Sequence, residues 1–333
     1  MLFVRLRFVL LAGLLFAAPL VVAAGALPTD PRPPWMAEVR SAQPSLRGQT
    51  QEQFFRLVKQ GEYVYRAAGC YGCHTDEKHA GKPLAGGHAL ATPFGTFYSP
   101  NITPDAETGI GRWSEQEFLR ALREGLSPAG DHYYPSFPYP SYTKLSDEDL
   151  RALWAYLKTQ PAVKQANRKH ELKWFARART FVGSWKGLYF MPGAYKPDAA
   201  KSATWNRGAY LAEAAAHCGE CHTPRSALGG IKSDMHYAGT REGPDDSVVP
   251  NITPDKKTGI GRWRASELAE YLETGLMPDG DTAGDLMAEV IDNGMKYLRK
   301  EDLAAIAEYV LSLPPVEHSV RKAKKPVKKE EFE

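Results

Sequence analysis

The sequence is 333 residues long, 43% hydrophobic and 24% charged, enough for two folded domains. Its formal charge of +3 comes from residues 321–333, where six basic side chains face three acidic ones. The remaining body is near neutral, which argues against a nucleic-acid partner.

Arg5 and Arg7 precede an uncharged apolar run from Phe8 to Leu27 that ends in small residues, the pattern of an export segment. Its length of about 20 residues also suffices to span a bilayer. Residues 1–27 are therefore read as a signal peptide, cleaved after Ala24-x-Ala26, or as a retained anchor in the inner membrane. Both readings place the rest of the chain in the periplasm. Residues 28–50, rich in Pro, Ser, Arg and Gln, read as a linker.

In the first domain, 51–161, a helix bearing Gly61 and Tyr63 leads into Cys70-Tyr-Gly-Cys73-His74. Ser114-Glu-Gln-Glu117 forms a capping box for a second helix, and Leu150, Leu153, Trp154 and Leu157 place a third after Ser146. No alternating run of strand length competes. An aromatic-rich connector, 162–205, with Trp174, Phe175, Phe181, Trp185, Tyr189, Phe190 and Met191, is expected to pack across both domains. The second domain, 206–315, repeats the first. Gly208 and Tyr210 precede Cys218-Gly-Glu-Cys221-His222, Asn251-Ile-Thr-Pro-Asp255 matches Asn101-Ile-Thr-Pro-Asp105, and Leu298–Val310 matches Leu145–Leu157. Residues 316–333 read as a disordered basic tail, solvated or docked on an acidic partner or anionic lipid.

Cys-x-x-Cys-His is the attachment sequence of c-type haem, and the two copies use all four cysteines. Two thiols at this spacing reach the two vinyl groups of one porphyrin, and the adjacent imidazole becomes the proximal iron ligand. Two covalently bound haems c are thus expected, on Cys70, Cys73 and His74 and on Cys218, Cys221 and His222. A shared zinc site would need its pairs about 15–20 residues apart, and a thioredoxin-like pair would need a βαβ pattern. Arg112 with Trp113, and Arg262 with Trp263, carry donors suited to haem propionates; a surface Arg beside a core Trp is the competing reading.

The expected fold is mainly α: two tandem class I cytochrome c domains whose first and last helices cross at Gly61 and Gly208, against Tyr156 and Tyr309. From Gly61 to Leu157, through Trp174-Phe-Ala-Arg-Ala-Arg and Trp205-Asn-Arg-Gly-Ala-Tyr-Leu211 to Pro314, the chain resembles the multihaem cytochrome c subunits of bacterial membrane-bound alcohol, gluconate and sorbose dehydrogenases, and the related dihaem cytochromes. Those subunits carry three haem motifs where this chain has two. The resemblance implies an electron-donating dehydrogenase and an electron-accepting cytochrome or oxidase as partners. It also implies that Met287, six residues beyond Asp281, is an axial ligand, with Met277 and Met295 as rivals.

The same count from Asp131 reaches Phe137, which has no lone pair to donate. The first haem then has an open site shielded by Phe137, a ligand from His79, His88 or His132, or a tyrosinate from Tyr133 or Tyr134. Two functions follow. One is an electron relay running from the first haem to the second, since Met/His ligation raises the potential. The other is a haem enzyme, a peroxidase or thiosulfate-type dehydrogenase, acting at the first haem.

Overall fold

The computed structural model describes residues 48–320; the segment 8–27, the linker up to residue 47 and the tail from residue 321 lie outside the described residues. Helix α1, Gln51–Ala67, starts at a capping box between Thr50 and Gln53 and buries Phe54, Val58, Val64 and Tyr65. Gly69, left-handed at φ 60°, turns the chain into α2, Cys70–His74. A hairpin of β1, Ala89–Thr92, and β2, Gly95–Tyr98, follows. Helix α3, Glu115–Glu124, starts at the expected capping box, with the Glu117 amide donating to Ser114 Oγ and the Ser114 amide to Glu117 Oε2. The short α4, Tyr139–Tyr142, leads to α5, Asp147–Lys158, capped by Ser146. The connector contributes β3, Glu171–Leu172, and α6, Thr180–Tyr189. In the second copy helices α1 to α5 recur as α7, Ala203–Tyr210; α8, Cys218–His222; α9, Ala265–Thr274; α10, Asp285–Asn293; and α11, Lys300–Leu311. No described helix is long and apolar enough to cross a membrane.

The first and last helices of each copy cross where the sequence places a glycine. A Cβ on Gly61 would lie 1.9 Å from the Ala152 carbonyl oxygen and 2.7 Å from Tyr156 Cβ; one on Gly208 would lie 1.9 Å from the Ala305 oxygen. Such contacts cannot be relieved by a rotamer change, because backbone is met. Gly61→Ala is expected to cost about 3 kcal/mol, read as a lower urea midpoint at unchanged m-value. An unmoved midpoint would mean that the helices do not touch there.

Gly61 precedes Cys70 by nine residues, whereas Gly208 precedes Cys218 by ten. The extra residue is absorbed as a π-helical turn, Leu211–Ala215, between α7 and α8. The bulge preserves both the helix crossing and the placing of the Cys-x-x-Cys-His helix, and it turns Glu213 onto Lys144, His236 and Tyr309.

The two copies interlock reciprocally. Tyr63 of α1 donates to Asp302 of α11, and Tyr210 of α7 donates to Asp149 of α5. The same hydroxyls accept the amides of Arg299 at 3.2 Å and Ser146 at 3.1 Å. Asp302, 4% exposed, also takes Arg207 in a two-pronged bond at 2.9 and 2.8 Å. Each copy thus closes the N-terminus of the other's last helix.

Three expectations are corrected. First, strands exist: β1, β2 and β3 form an antiparallel sheet, each too short for alternation to show. Second, the connector packs across both copies with only part of its aromatics: Trp185 Nε1 donates to the Leu228 carbonyl at 2.9 Å and Phe190 meets Tyr139 edge-on at 5.0 Å. Val182 and Lys186 face inward, with Lys186 Nζ donating to the Gly125 carbonyl at 2.8 Å, but Trp174 is 81%, Phe181 68% and Met191 89% exposed. Third, the boundaries shift. Asn101 Nδ2 donates to the Val163 carbonyl and Asn251 Nδ2 to the Val316 carbonyl, both at 2.7 Å, so the segment after each last helix belongs to its domain. The tail is accordingly held at least as far as Val320, which is buried, and does not loosen at 316.

Candidate haem sites

Each attachment helix leaves its side chains partly open to solvent. Cys73 is exposed, and Cys70, Cys218, Cys221, His74 and His222 are half-buried. Protein nevertheless surrounds them closely enough that burial pushes the thiols of Cys70, Cys218 and Cys221 up to about 12 and lowers His74 to about 4 and His222 in the same direction. At neutral pH both imidazoles are uncharged, as a metal ligand requires.

The tautomer follows from the partners. His74 Nδ1 lies 2.8 Å from the Pro100 carbonyl oxygen and His222 Nδ1 lies 2.9 Å from that of Pro250. A carbonyl can only accept, so Nδ1 carries the proton and Nε2 keeps its lone pair. This is the arrangement by which a carbonyl orients a ligating histidine and raises its basicity. Asn101 and Asn251 hold those carbonyls in place, each side chain tying its segment to Thr108 or Thr258 and to the stretch after the last helix. The repeated Asn-Ile-Thr-Pro-Asp blocks stand out in the sequence, but the roles of Pro100 and Pro250 escape a reading of it. The signal was there, since a proline precedes the asparagine in both copies.

These residues fit covalent haem and not a shared metal. Among the described residues no group of three or more His, Cys, Asp or Glu side chains is placed to hold a metal ion. Arg112 and Arg262 are exposed, Trp113 and Trp263 pack half-buried on the core, and their side-chain donors find no protein partner among the described residues.

On the distal side the two copies share a register. The Tyr133 amide donates to the Gly125 carbonyl as the Ala283 amide does to Gly275, and Leu126 bridges His132 as Leu276 bridges Thr282. Counted on from this shared register, Phe137 is the residue that corresponds to Met287, although Phe137 lies in a turn and Met287 in α10. Met287 is partly buried on α10, whereas Met277 lies in the turn closed on Asp281 and Met295 is a core residue, 3% exposed. Phe137 sits among aromatic rings, with Tyr133 at 5.6 Å and Tyr142 at 5.8 Å.

The substitute ligands are dispersed. His79 is exposed and paired with Asp76 at 2.9 Å. His88 follows Gly86, whose amide bonds the His74 carbonyl, and so lies on the proximal-side loop. His132 has a buried Nδ1 without a partner and rests against Gly183 of α6. Burial raises Tyr133 to about 12 and also raises Tyr134, which opposes a tyrosinate.

Each attachment helix touches the other copy. Ser141 of α4 donates to Glu220 of α8 at 2.7 Å, Tyr142 meets His217 edge-on at 5.4 Å, and α10 packs on α2.

A family model described as Cytochrome c matches residues 58–161 and 206–314. The chain is 40% identical over 304 residues to a subunit of the nicotinate dehydrogenase of Pseudomonas putida, a match covering 91% of this chain and 24% of that protein. It is 40% identical over 266 residues to the gluconate 2-dehydrogenase cytochrome c subunit of Pantoea cypripedii, covering 77% of this chain and 59% of the relative. It is 40% identical over 268 residues to a dihaem cytochrome c-type protein of Cereibacter sphaeroides, covering 78% of this chain and 87% of the relative. The chain thus spans less than two thirds of the first two relatives. Two matched segments on two class I domains, each with its attachment helix and carbonyl-oriented histidine, show that the chain belongs to the cytochrome c family, with covalently bound haem c.

Proposed function

We propose that this cytochrome carries two haems and relays electrons, outside the cytoplasm, from a dehydrogenase to an accepting cytochrome or oxidase. The observation that carries the reading is the pair of equivalent His–Pro carbonyl contacts, His74–Pro100 and His222–Pro250, each on an attachment helix that touches the other copy. Cys70, Cys73, Cys218 and Cys221 would hold the porphyrins, His74 and His222 the irons, and Met287 the distal face of the second. Arg112, Trp113, Arg262 and Trp263 would receive the propionates. The bound haem supplies one-electron chemistry; the protein keeps each ligand neutral, dry and oriented. A dehydrogenase partner is supported by relatives named as subunits of nicotinate, gluconate, fructose and alcohol dehydrogenases.

Haem content tests this reading. Pyridine haemochrome analysis should give two haems per chain, and Cys218→Ser with Cys221→Ser should remove one of them. One haem in the unaltered chain would sink the proposal.

A second reading, a haem enzyme acting at the first site, is favoured by one observation, the phenylalanine at position 137 where the other copy has methionine. Carbon monoxide separates the two. Binding at the first haem keeps an enzyme in play, and its absence leaves a relay.

A further inference from the structure

The connector has a surface that the relay does not use. From Arg168 to Arg179, the five cations Arg168, Lys169, Lys173, Arg177 and Arg179 face a single carboxylate, Glu171, and none follows until Asp198. Four of those cations, with Tyr134 and His170, line a shallow recess of about 430 Å³. Glu171 is drawn to the Tyr98 hydroxyl at 3.0 Å and to Arg168 at 3.7 Å. Arg177 commits its Nε to the Leu172 carbonyl, and Arg179 reaches the His132 carbonyl at 3.4 Å, so most of both guanidinium forks remains unspent. Like charges gathered on one recess repel, and an anion seated there offsets the repulsion.

Beside the recess, side chains of the kind folding normally buries are left in solvent. Trp174 is 81%, Phe181 68%, Leu188 73% and Met191 89% exposed. On α6, Phe181 and Leu188 are seven residues apart and share the outer face, while Val182 and Lys186 occupy the inner one. Exposed apolar surface of this kind marks an interaction site. Its combination with a cationic recess is that of a segment lying in a membrane interface, with rings at the headgroup level and basic heads among the phosphates.

We propose that residues 168–191 dock on an anionic phospholipid surface, a headgroup phosphate seated in the recess and Trp174, Phe181, Leu188 and Met191 entering the headgroup region. Charge complementarity selects lipid over a protein partner. A protein would have to match each cation with a placed carboxylate, whereas an anionic bilayer supplies phosphates at any spacing. Tyr134 lines the recess three residues before Phe137, so docking brings the distal segment of the first copy to the membrane.

The test is hydrogen–deuterium exchange of the full-length holoprotein, read over peptides covering 168–191. Because residues 8–27 or the basic tail can hold the chain near any bilayer, the readout is local and the comparison is between vesicles. With phosphatidylcholine vesicles carrying about 30% phosphatidylglycerol, exchange in 168–191 should slow; with pure phosphatidylcholine it should not. Arg177→Gln and Arg179→Gln should each weaken the protection roughly fivefold, with haem spectra unchanged. Trp174→Ser with Phe181→Ser should abolish it. Equal protection by neutral vesicles, or none by anionic ones, overturns the proposal. So does protection by inorganic phosphate without lipid, which would make the recess a small-anion site. Protection that grows with protein concentration alone would overturn it too, making the face a contact between copies of this chain.

Discussion

Asp302→Ala should destabilise the protein by about 3–5 kcal/mol, because it leaves the half-buried guanidinium of Arg207 and the hydroxyl of Tyr63 without their shared acceptor. The carboxylate is almost wholly buried and holds three donors, Arg207, Arg299 and Tyr63, the last from the other copy. Its loss therefore removes a helix terminus and an interdomain bond together. A denaturant midpoint measures the cost, and a double-mutant cycle with Tyr63→Phe isolates the interdomain part. A loss below about 1 kcal/mol would place Asp302 among ordinary surface ion pairs and contradict the reciprocal lock.

The same contact sets an acid limit. Burial alone would raise the Asp302 carboxyl, but Arg207, Tyr63 and Arg299 outweigh it and hold the group well below the ordinary carboxylate range. Glu213 is held low in the same way, burial being outweighed by His236 and Lys144. A carboxyl depressed in the folded state contributes fully above its unfolded value, about 4, and loses that contribution as pH falls through the folded value. Stability should therefore fall below about pH 4, and Asp302→Ala should flatten that decline.

The second large effect concerns the distal ligands. Met287→Ala should convert the second haem from low to high spin, open it to carbon monoxide and lower its potential on the order of 0.1 V, within the range axial ligands command. Phe137→Met should raise the potential of the first haem and remove any carbon monoxide binding that the unaltered first haem shows. The register of Gly125 with Gly275 and of Leu126 with Leu276 supports both, since counting on from it makes Phe137 and Met287 corresponding residues. A second haem unaffected by Met287→Ala would move the ligand elsewhere, and Phe137→Met without effect would show that the first iron already has a sixth ligand.

Much of this molecule is legible in its sequence because the repeat aligns chemistry with structure. Cys-x-x-Cys-His fixes the attachment helices, Ser114 and Ser146 fix helix starts, and Gly61 and Gly208 fix the crossings. The long-range partners were not legible. Tyr63 and Asp302 are 239 residues apart and pair with each other, not within their own copies, so a repeat read as two independent domains conceals the exchange. The π-turn was written as a one-residue insertion, Gly208 to Cys218, but no local propensity marks where a helix takes up an extra residue. The connector misled for a physical reason. Aromatic content reports a need for contact, which Trp185 and Phe190 meet within the chain and Trp174 and Phe181 do not.

The most direct test of the relay is a potentiometric titration of the full-length holoprotein, followed optically and by electron paramagnetic resonance. Two one-electron steps are expected, the upper one assigned to the second haem by its selective fall in Met287→Ala and the lower one to the haem beside Phe137. A single step, or an upper step that moves with Phe137→Met and not with Met287→Ala, would contradict a relay running from the first haem to the second.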